Sequence, residues 1–135
     1  MDLKVTLPGG KKVVALYKGF EIATDQPKHQ GGDESAPSPF DLFLASIGTC
    51  AGIYVQSFCE RRGIPYEEIE IIQTMETNPE TRLPEKFNLE IILPAGFPEK
   101  YKDSVINAAE LCLVKKTIAR APEFNVTSVI KTDER

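Results

Sequence analysis

The fold of this chain is decided by residues 39–63, PFDLFLASIGTCAGIYVQSFCERRG. Ser38, just before the stretch, is a typical helix N-cap, and Pro39 suits a first helical turn. Asp41 then lies near the positive end of the helix dipole. Gly63, which follows a basic pair, predicts the end of the helix. The stretch is therefore predicted to be one long helix.

The apolar residues of this helix do not keep to a single stripe. They point nearly all round, which is typical of a helix that is buried on most sides. The residues concerned are Leu42, Phe43, Leu44, Ile47, Ile53, Tyr54, Val55 and Phe58.

Cys50 lies in the middle of the helix among small residues. Gly48 and Gly52 are four apart, and each costs roughly 1 kcal/mol relative to alanine in a helix interior. Two interpretations stay open: a tight crossing with another backbone, or the floor of a pocket with a reactive sulfur. The other small neighbours are Ala45, Ser46, Thr49 and Ala51.

Length and charge restrict the class of protein. The 135 residues predict a single domain, residues 1–135, with a substantial hydrophobic core. A net charge of −4, without a basic run, argues against a nucleic-acid-binding surface. The N-terminal residues lack the layout of a signal peptide, so a cytoplasmic protein is expected.

The apolar stretch and the cysteines argue against a membrane protein, a disulfide-rich protein and a metal-binding protein. The central helix contains Ser, Gly, Thr, Cys and Gln and falls short of the ~20 apolar residues that span a bilayer, so a core helix is expected and no membrane partner. Three cysteines do not suggest a disulfide scaffold. With one histidine and no CxxC, no metal or other cofactor is expected.

The order of the remaining elements predicts an α+β fold with an N-terminal three-stranded antiparallel sheet, the central helix, a second sheet and C-terminal helices. A polar loop, residues 26–38, leads into the central helix, and loops of this length are often functional. Strands are predicted at Lys4–Leu7, Lys12–Lys18, Phe20–Asp25, Ile69–Thr77, Lys86–Leu93 and Phe124–Lys131, and helices at Pro98–Leu111 and in a short segment that ends before Pro122.

The apolar surface of the central helix also suggests an oligomeric state for the protein. A three-stranded sheet covers only one side of it, so the other side needs the second sheet or a second copy of the chain. We expect a homodimer in which the central helices, or the sheets around them, are shared.

The other two cysteines have different surroundings. Cys59 is nine residues beyond Cys50, on the opposite face of the helix, and is interpreted as a buried small hydrophobe. Cys112 is at a helix junction with Lys115 and Lys116 within a turn, and backbone amides and cations both favour a thiolate. Cys112 and Cys50 together are suited to a dithiol that cycles through a disulfide.

Two segments resemble known motifs. Residues 37–50, PSPFDLFLASIGTC, resemble the central-helix motif of the OsmC/Ohr family. Residues 112–118, CLVKKTI, resemble its second motif, in which a cysteine is followed by a short run such as P-V-S-x-T-L. The resemblance covers essentially the whole chain, including the loop from Asp25 to Gly32 and the order of the strands.

The resemblance implies an intertwined homodimer and thiol-dependent reduction of organic hydroperoxides or hydrogen peroxide. Cys50 would be the peroxidatic cysteine and Cys112 the resolving one, restored by a dithiol reductant. The alternative is a non-catalytic binding or redox-sensing protein with an apolar pocket at the dimer interface.

The chain departs from the family at two positions near the thiol. Phe40 stands where the peroxidases carry a glutamate, and no arginine precedes Arg61. Lys18 or Lys28 is therefore the predicted cation beside the Cys50 thiolate, although a lysine lacks the bidentate geometry of arginine. Asp41 is a further candidate for orienting a cation or a substrate proton there.

Overall fold

The computed structural model describes residues 2–132 and has the α+β architecture that the sequence predicts. Short 3₁₀ turns occupy Lys28–Gln30 and Glu99–Tyr101. The strands are β1 (Lys4–Gly9), β2 (Lys12–Tyr17), β3 (Phe20–Thr24), β4 (Glu70–Thr77) and β5 (Pro84–Ile92), and the helices are α1 (Pro39–Arg61), α2 (Lys102–Glu110) and α3 (Leu113–Ala119).

The strands form two separate antiparallel sheets. The first has the order β1–β2–β3, a simple meander with tight turns at Gly10 (φ 63°) and Gly19 (φ 82°), where glycine adopts a positive φ without strain. The second consists of β4 and β5, with Ile71 opposite Ile91. Both sheets confirm the strand order predicted from the sequence.

The ends of α1 are fixed by the residues that predicted them. The Ser38 hydroxyl accepts a hydrogen bond from the Asp41 backbone N–H, and the Asp41 carboxylate accepts one from the Ser38 N–H, which completes a capping box. Gly63 (φ 66°) ends the helix, and the next residue, Ile64, donates its N–H to the Cys59 carbonyl. α1 thus begins and ends where expected.

Within one chain, α1 is buried along one stripe and not on most sides. The opposite side leaves Ile53 exposed, and Phe43 near the start of the helix is also exposed. Length and composition alone would allow α1 to cross a membrane, but core helices meet the same criterion, and α1 packs against α2, α3 and β4. The buried stripe consists of Ile47, Ala51, Val55, Phe58 and Cys59.

The two helical glycines face the second sheet. A Cβ on Gly48 would lie 2.7 Å from Oε1 of Gln73 in β4, and Gly52 approaches Ile71 of the same strand. Gln73 also donates a hydrogen bond to the Leu44 carbonyl at 3.0 Å. The glycines are each two residues from Cys50, about 200° away round the helix, so they permit a helix–sheet contact and do not form a pocket floor beneath the sulfur.

The main core lies between α1, α2 and the second sheet. Phe58 and Cys59 of α1 pack with Val105 of α2, which is fully buried. The Phe58 ring also meets the Tyr101 ring edge-on, with centroids 5.9 Å apart. This packing fixes α2, and with it the α2–α3 junction, against the middle of α1.

The prediction of a final strand at Phe124–Lys131 is wrong for the single chain. Residues 121–132 form no helix or strand and are exposed throughout. The physical reason is that a strand needs a neighbouring strand to satisfy its backbone groups, and nothing in residues 2–132 pairs with this segment.

The loop before α1 is organised by a buried carboxylate that the sequence reading did not single out. Asp25 is fully buried, and its Oδ2 accepts hydrogen bonds from the Ser35 hydroxyl at 2.5 Å and the Ser35 N–H at 3.1 Å. Its Oδ1 accepts one from the Gln26 N–H at 2.7 Å, and Lys12 Nζ lies 3.7 Å from Oδ2. The Ser35 hydroxyl and the two backbone amides hold the pKa of Asp25 well below its usual range.

We expect Asp25→Asn to lower the free energy of unfolding at pH 7, because the neutral amide cannot accept these bonds as a carboxylate does. Since the folded-state pKa is depressed below the ordinary 3.8, the Asp25 contribution is present above that value and is lost as the pH falls. The difference between wild type and variant in urea unfolding should therefore shrink between pH 7 and pH 3. Asp33→Asn is the control, because Asp33 is exposed although it contacts Lys12 at 2.7 Å. Equal destabilisation by Asp25→Asn at both pH values would contradict the assignment.

Candidate active site

Two cysteines from distant parts of the sequence meet where α3 abuts the middle of α1. Cys50 projects from α1 and is partly exposed, whereas Cys112 is the N-cap residue of α3 and only 1 % exposed. The two thiols are close enough that each shifts the pKa of the other. Both cysteines are free, so the structure shows the dithiol form.

The first turn of α3 provides the electrostatic environment of Cys50. The Val114 backbone N–H lowers the pKa of Cys50, and the Cys112 thiol and the Leu113 N–H lower it further, against the opposing effect of burial. Hydrogen bonds to the charged form of a group favour that form. Cys50 is therefore the thiol that ionises more readily.

Cys112 has the opposite tendency. Burial raises the pKa of Cys112, and so does the neighbouring Cys50 side chain. Its sulfur accepts the Lys115 N–H at 3.5 Å, which caps α3 but does not outweigh burial. The Lys115 ammonium pairs instead with Glu110, at 3.7 Å. The expectation that amides and lysines favour a thiolate at Cys112 thus needs correction: the amides at the start of α3 act mainly on Cys50.

The structure does not bring the other predicted residues into contact with the thiols. Lys18 lies in the β2–β3 turn, with Nζ 5.1 Å from the Tyr17 ring centroid. Lys28 lies in the loop before α1 and donates its backbone N–H to Glu34. Asp41 is engaged in the capping box of α1. In the described residues, none of the three contributes to the pKa shift of Cys50.

The remaining cysteine has the buried position that the sequence predicts, and the single histidine of the chain is exposed. Cys59 is fully buried on the far side of α1, and burial raises its pKa. His29 is exposed in the loop before α1. Among residues 2–132, no group of three His, Cys, Asp or Glu side chains is placed to hold a metal ion.

Phe40 begins a row of aromatic rings. Its centroid lies 5.6 Å from that of Phe43, which in turn lies 6.3 Å from the Phe87 ring of β5. The position at which the peroxidase motif has a charged glutamate therefore carries apolar surface that continues towards the second sheet.

Cys112 forms part of the wall of an apolar cavity of about 640 Å³. It lies between β5 and the helices α2 and α3, with Ile47 and Ala51 of α1 at its base. Cys112 lines it and Cys50 does not. The two sulfurs thus have different surroundings, the Cys50 sulfur on the partly exposed side of α1 and the Cys112 sulfur beside the cavity.

The backbone donors at Leu113 and Val114 are the functional groups that the sequence reading missed. A signal for one of them was present: the second motif has proline directly after its cysteine, and this chain has Leu113 there. Proline has no backbone N–H, so leucine adds a donor at this position. Which sulfur that donor serves follows only from the packing of α3 on α1.

Comparison with known proteins agrees with this geometry. The family model described as OsmC-like protein matches residues 31–127, which include both cysteine motifs. No curated protein matches the sequence.

Solved structures share the fold at low sequence identity. A putative osmotic stress induced and detoxification response protein from Psychrobacter arcticus has a TM-score of 0.72 at 24 % identity, over 85 % of each chain. An OsmC-like protein from Mycoplasma pneumoniae has a TM-score of 0.70 at 17 % identity, over 89 % of this chain and 87 % of that one. The organic hydroperoxide resistance protein OhrB of Bacillus subtilis has a TM-score of 0.53 at 19 % identity, over 87 % and 90 %.

The backbone donors can be tested with Leu113→Pro. Leu113 is the first residue of α3, where proline is favoured, and Cys112 already has the extended ψ of 130° that a following proline requires. We expect the helix to persist and alkylation of Cys50 at pH 7 to slow by roughly three- to tenfold, because a hydrogen bond to a charged group is lost. Peptide-resolved mass spectrometry after iodoacetamide treatment of the reduced protein measures the rate.

Leu113→Ala is the matched control, because the Leu113 side chain is exposed and alanine keeps the N–H. The alanine variant should alkylate at the wild-type rate. If the two variants alkylate equally fast, the Leu113 amide has no part in stabilising the thiolate.

Proposed function

The chain belongs to the OsmC-like family, and we propose that it is a thiol-dependent peroxidase that reduces organic hydroperoxides through Cys50 and Cys112. The observation that supports this most directly is the contact of two thiols with opposite acid–base tendencies. A peroxide-related redox role also agrees with the names of structural relatives, several of which are called organic hydroperoxide resistance proteins.

In the proposed first step, the Cys50 thiolate attacks the outer oxygen of the hydroperoxide. The S–O bond forms as the O–O bond breaks, and the leaving alkoxide takes a proton to become an alcohol. The sulfur is oxidised to sulfenic acid. The N–H groups of Val114 and Leu113 support this step because they lower the pKa of Cys50, which increases the fraction of thiolate.

In the second step, the Cys112 sulfur attacks the Cys50 sulfenic acid. A disulfide forms, and the Cys112 proton leaves with the hydroxyl group as water. Burial keeps Cys112 protonated until then, so the proton that the leaving group needs is already on the attacking thiol. A dithiol reductant restores both thiols by exchange and becomes a disulfide itself. Such a reductant is expected in the cytoplasm, where we place the protein.

The exposed side of α1 supports a homodimer as the working form. Ile53 projects from the side that the chain itself leaves uncovered, and Phe40 and Phe43 add exposed apolar surface near the start of the helix. Contiguous apolar surface of this kind marks interaction sites in soluble proteins. The apolar cavity beside Cys112 favours organic hydroperoxides over hydrogen peroxide as substrates.

The second candidate is a non-catalytic binding or redox-sensing protein. The apolar cavity at Cys112 favours it, as do Phe40 in place of a glutamate and the absence of an arginine before Arg61. The two candidates differ in turnover: a sensor oxidises its thiols once, whereas an enzyme consumes peroxide continuously while reductant lasts.

Turnover of cumene hydroperoxide with dithiothreitol separates the candidates. We expect steady consumption by the wild type and, with Cys50→Ser, only the rate of dithiothreitol alone, because the attacking sulfur is gone. Cys112→Ser should accumulate a dimedone-reactive sulfenic acid at Cys50, because no internal thiol resolves it. Cys59→Ser is the control and should keep full activity. A wild type that consumes no more peroxide than Cys50→Ser would rule out the enzyme.

A further inference from the structure

Of the three helices, α3 is held by the fewest buried side chains. It has seven residues, Leu113–Ala119, and none of them is buried, whereas α1 and α2 each bury at least one side chain. Isolated helices shorter than about 12 residues are marginal in water. Valine, threonine and isoleucine, which all occur in α3, are also poorer helix formers than alanine or leucine. The order of α3 therefore depends on the contacts at its ends.

The first turn of α3 is capped by sulfur atoms. The first N–H groups of a helix have no carbonyl partner within the helix itself. In α3, the Lys115 N–H donates to the Cys112 sulfur at 3.5 Å. The N–H groups of Leu113 and Val114 act on the Cys50 sulfur, whose pKa they lower. Three consecutive backbone donors thus have the two redox sulfurs as their partners.

The strength of these caps depends on the oxidation state of the sulfurs. A hydrogen bond to a charged acceptor is stronger than one to a neutral acceptor. In the dithiol form, Cys50 can carry a negative charge that the donors stabilise. In a disulfide with Cys112 both sulfurs are neutral at every pH, and neutral sulfur is a weak acceptor. Oxidation therefore weakens the partners of all three donors at once.

A disulfide does not replace what the first turn loses. The S–S bond would tie residue 112 to α1, but residue 112 is the N-cap and precedes the helix. The cross-link places no direct constraint on residues 113–119. The ion pair between Lys115 and Glu110, at 3.7 Å, is exposed, and exposed pairs contribute little to stability.

α3 also forms one wall of the apolar cavity. Lys115 and Ile118 line this cavity together with Cys112. In the dithiol form Cys112 is only 1 % exposed, so a reductant has no direct access to its sulfur. Thiol–disulfide exchange requires that the attacking thiolate reach one sulfur of the disulfide. Movement of α3 away from α1 would widen the cavity and expose the Cys112 sulfur.

We propose that α3 is a redox-sensitive lid, ordered while Cys50 and Cys112 are thiols and loosened at its first turn when a disulfide joins them. Loosening exposes the disulfide to the dithiol reductant, and reduction restores the sulfur caps and closes the lid. The inference deepens the proposed function, because it rests on the Cys50–Cys112 disulfide. It does not rest on peroxide turnover, since other oxidants form the same bond.

Hydrogen exchange in the two redox states tests the lid. Diamide, a diazene, oxidises the pair: the S–S bond forms, and the two thiol hydrogens pass to the N=N bond, which becomes a hydrazine. Peptide mapping identifies the disulfide. We expect the backbone amides of residues 113–118 to exchange roughly tenfold or more faster in the oxidised protein, whereas those of β1, β2 and β3 keep their rates.

Cys50→Ser is the control for the reagent, because it cannot form the disulfide. Diamide should leave the exchange of α3 in this variant unchanged. Equal or slower exchange of α3 in the oxidised wild type would overturn the proposal. A wild type in which diamide forms no disulfide between Cys50 and Cys112 would overturn it as well.

Two substitutions of Cys112 test the capping role without any disulfide. Serine is a favoured N-cap whose hydroxyl replaces the sulfur as an acceptor, whereas alanine provides no acceptor. The α3 amides of reduced Cys112→Ala should exchange roughly fivefold faster than those of reduced Cys112→Ser, which is the usual effect of losing an N-cap. Equal exchange in the two variants would overturn the proposal, because the first turn would then not depend on an acceptor at residue 112.

These exchange rates are independent of catalysis. If α3 loosens on oxidation by diamide but cumene hydroperoxide is not consumed, the lid stands and the peroxidase proposal fails. If peroxide is consumed but α3 exchanges equally fast in both redox states, the reverse holds.

Discussion

The packing of the first turn of α3 against Cys50 is the constraint on which the candidate site depends. It places the N–H groups of Leu113 and Val114 at one sulfur and inserts Cys112 beside that sulfur as the cap of the same helix. Other interactions hold the two helices of this contact in place. The capping box stabilises the start of α1, and Val105 anchors α2, which leads into α3, in the core. Displacing α3 would therefore remove Cys112 and the amide donors from Cys50 together.

This contact gives two chemically identical thiols opposite pKa shifts. Cys50 is partly exposed and receives backbone donors, which favours the thiolate, whereas Cys112 is buried, which favours the thiol. Neither sulfur needs a metal or an arginine for this difference. The first turn of α3 thus lowers the pKa of Cys50 with neutral backbone donors, which act only over hydrogen-bonding distance.

The sequence predicted the parts of the fold that are encoded locally. Ser38, Pro39 and Gly63 define α1 because caps and positive-φ glycines act within a few residues. The resemblance to a family also led to the expectation that the two cysteine motifs act together, and the structure places Cys50 and Cys112 near each other. The sequence reading misplaced the small residues around Cys50, because Gly48 and Gly52 face β4, and it sought the thiolate's partner among lysines. Backbone donors carry no residue type, so Leu113 and Val114 become visible only when α3 is packed.

The wrong prediction of a final strand has a different origin. The alternation from Phe124 to Ile130 is a genuine strand signal, but a strand is a property of a pair of segments, and the single chain provides only one member. The same incompleteness explains why α1, apolar nearly all round, is buried along only one stripe. In both places the apolar pattern of the sequence exceeds the core that residues 2–132 build within one chain, and the periodicity alone does not say what covers the excess.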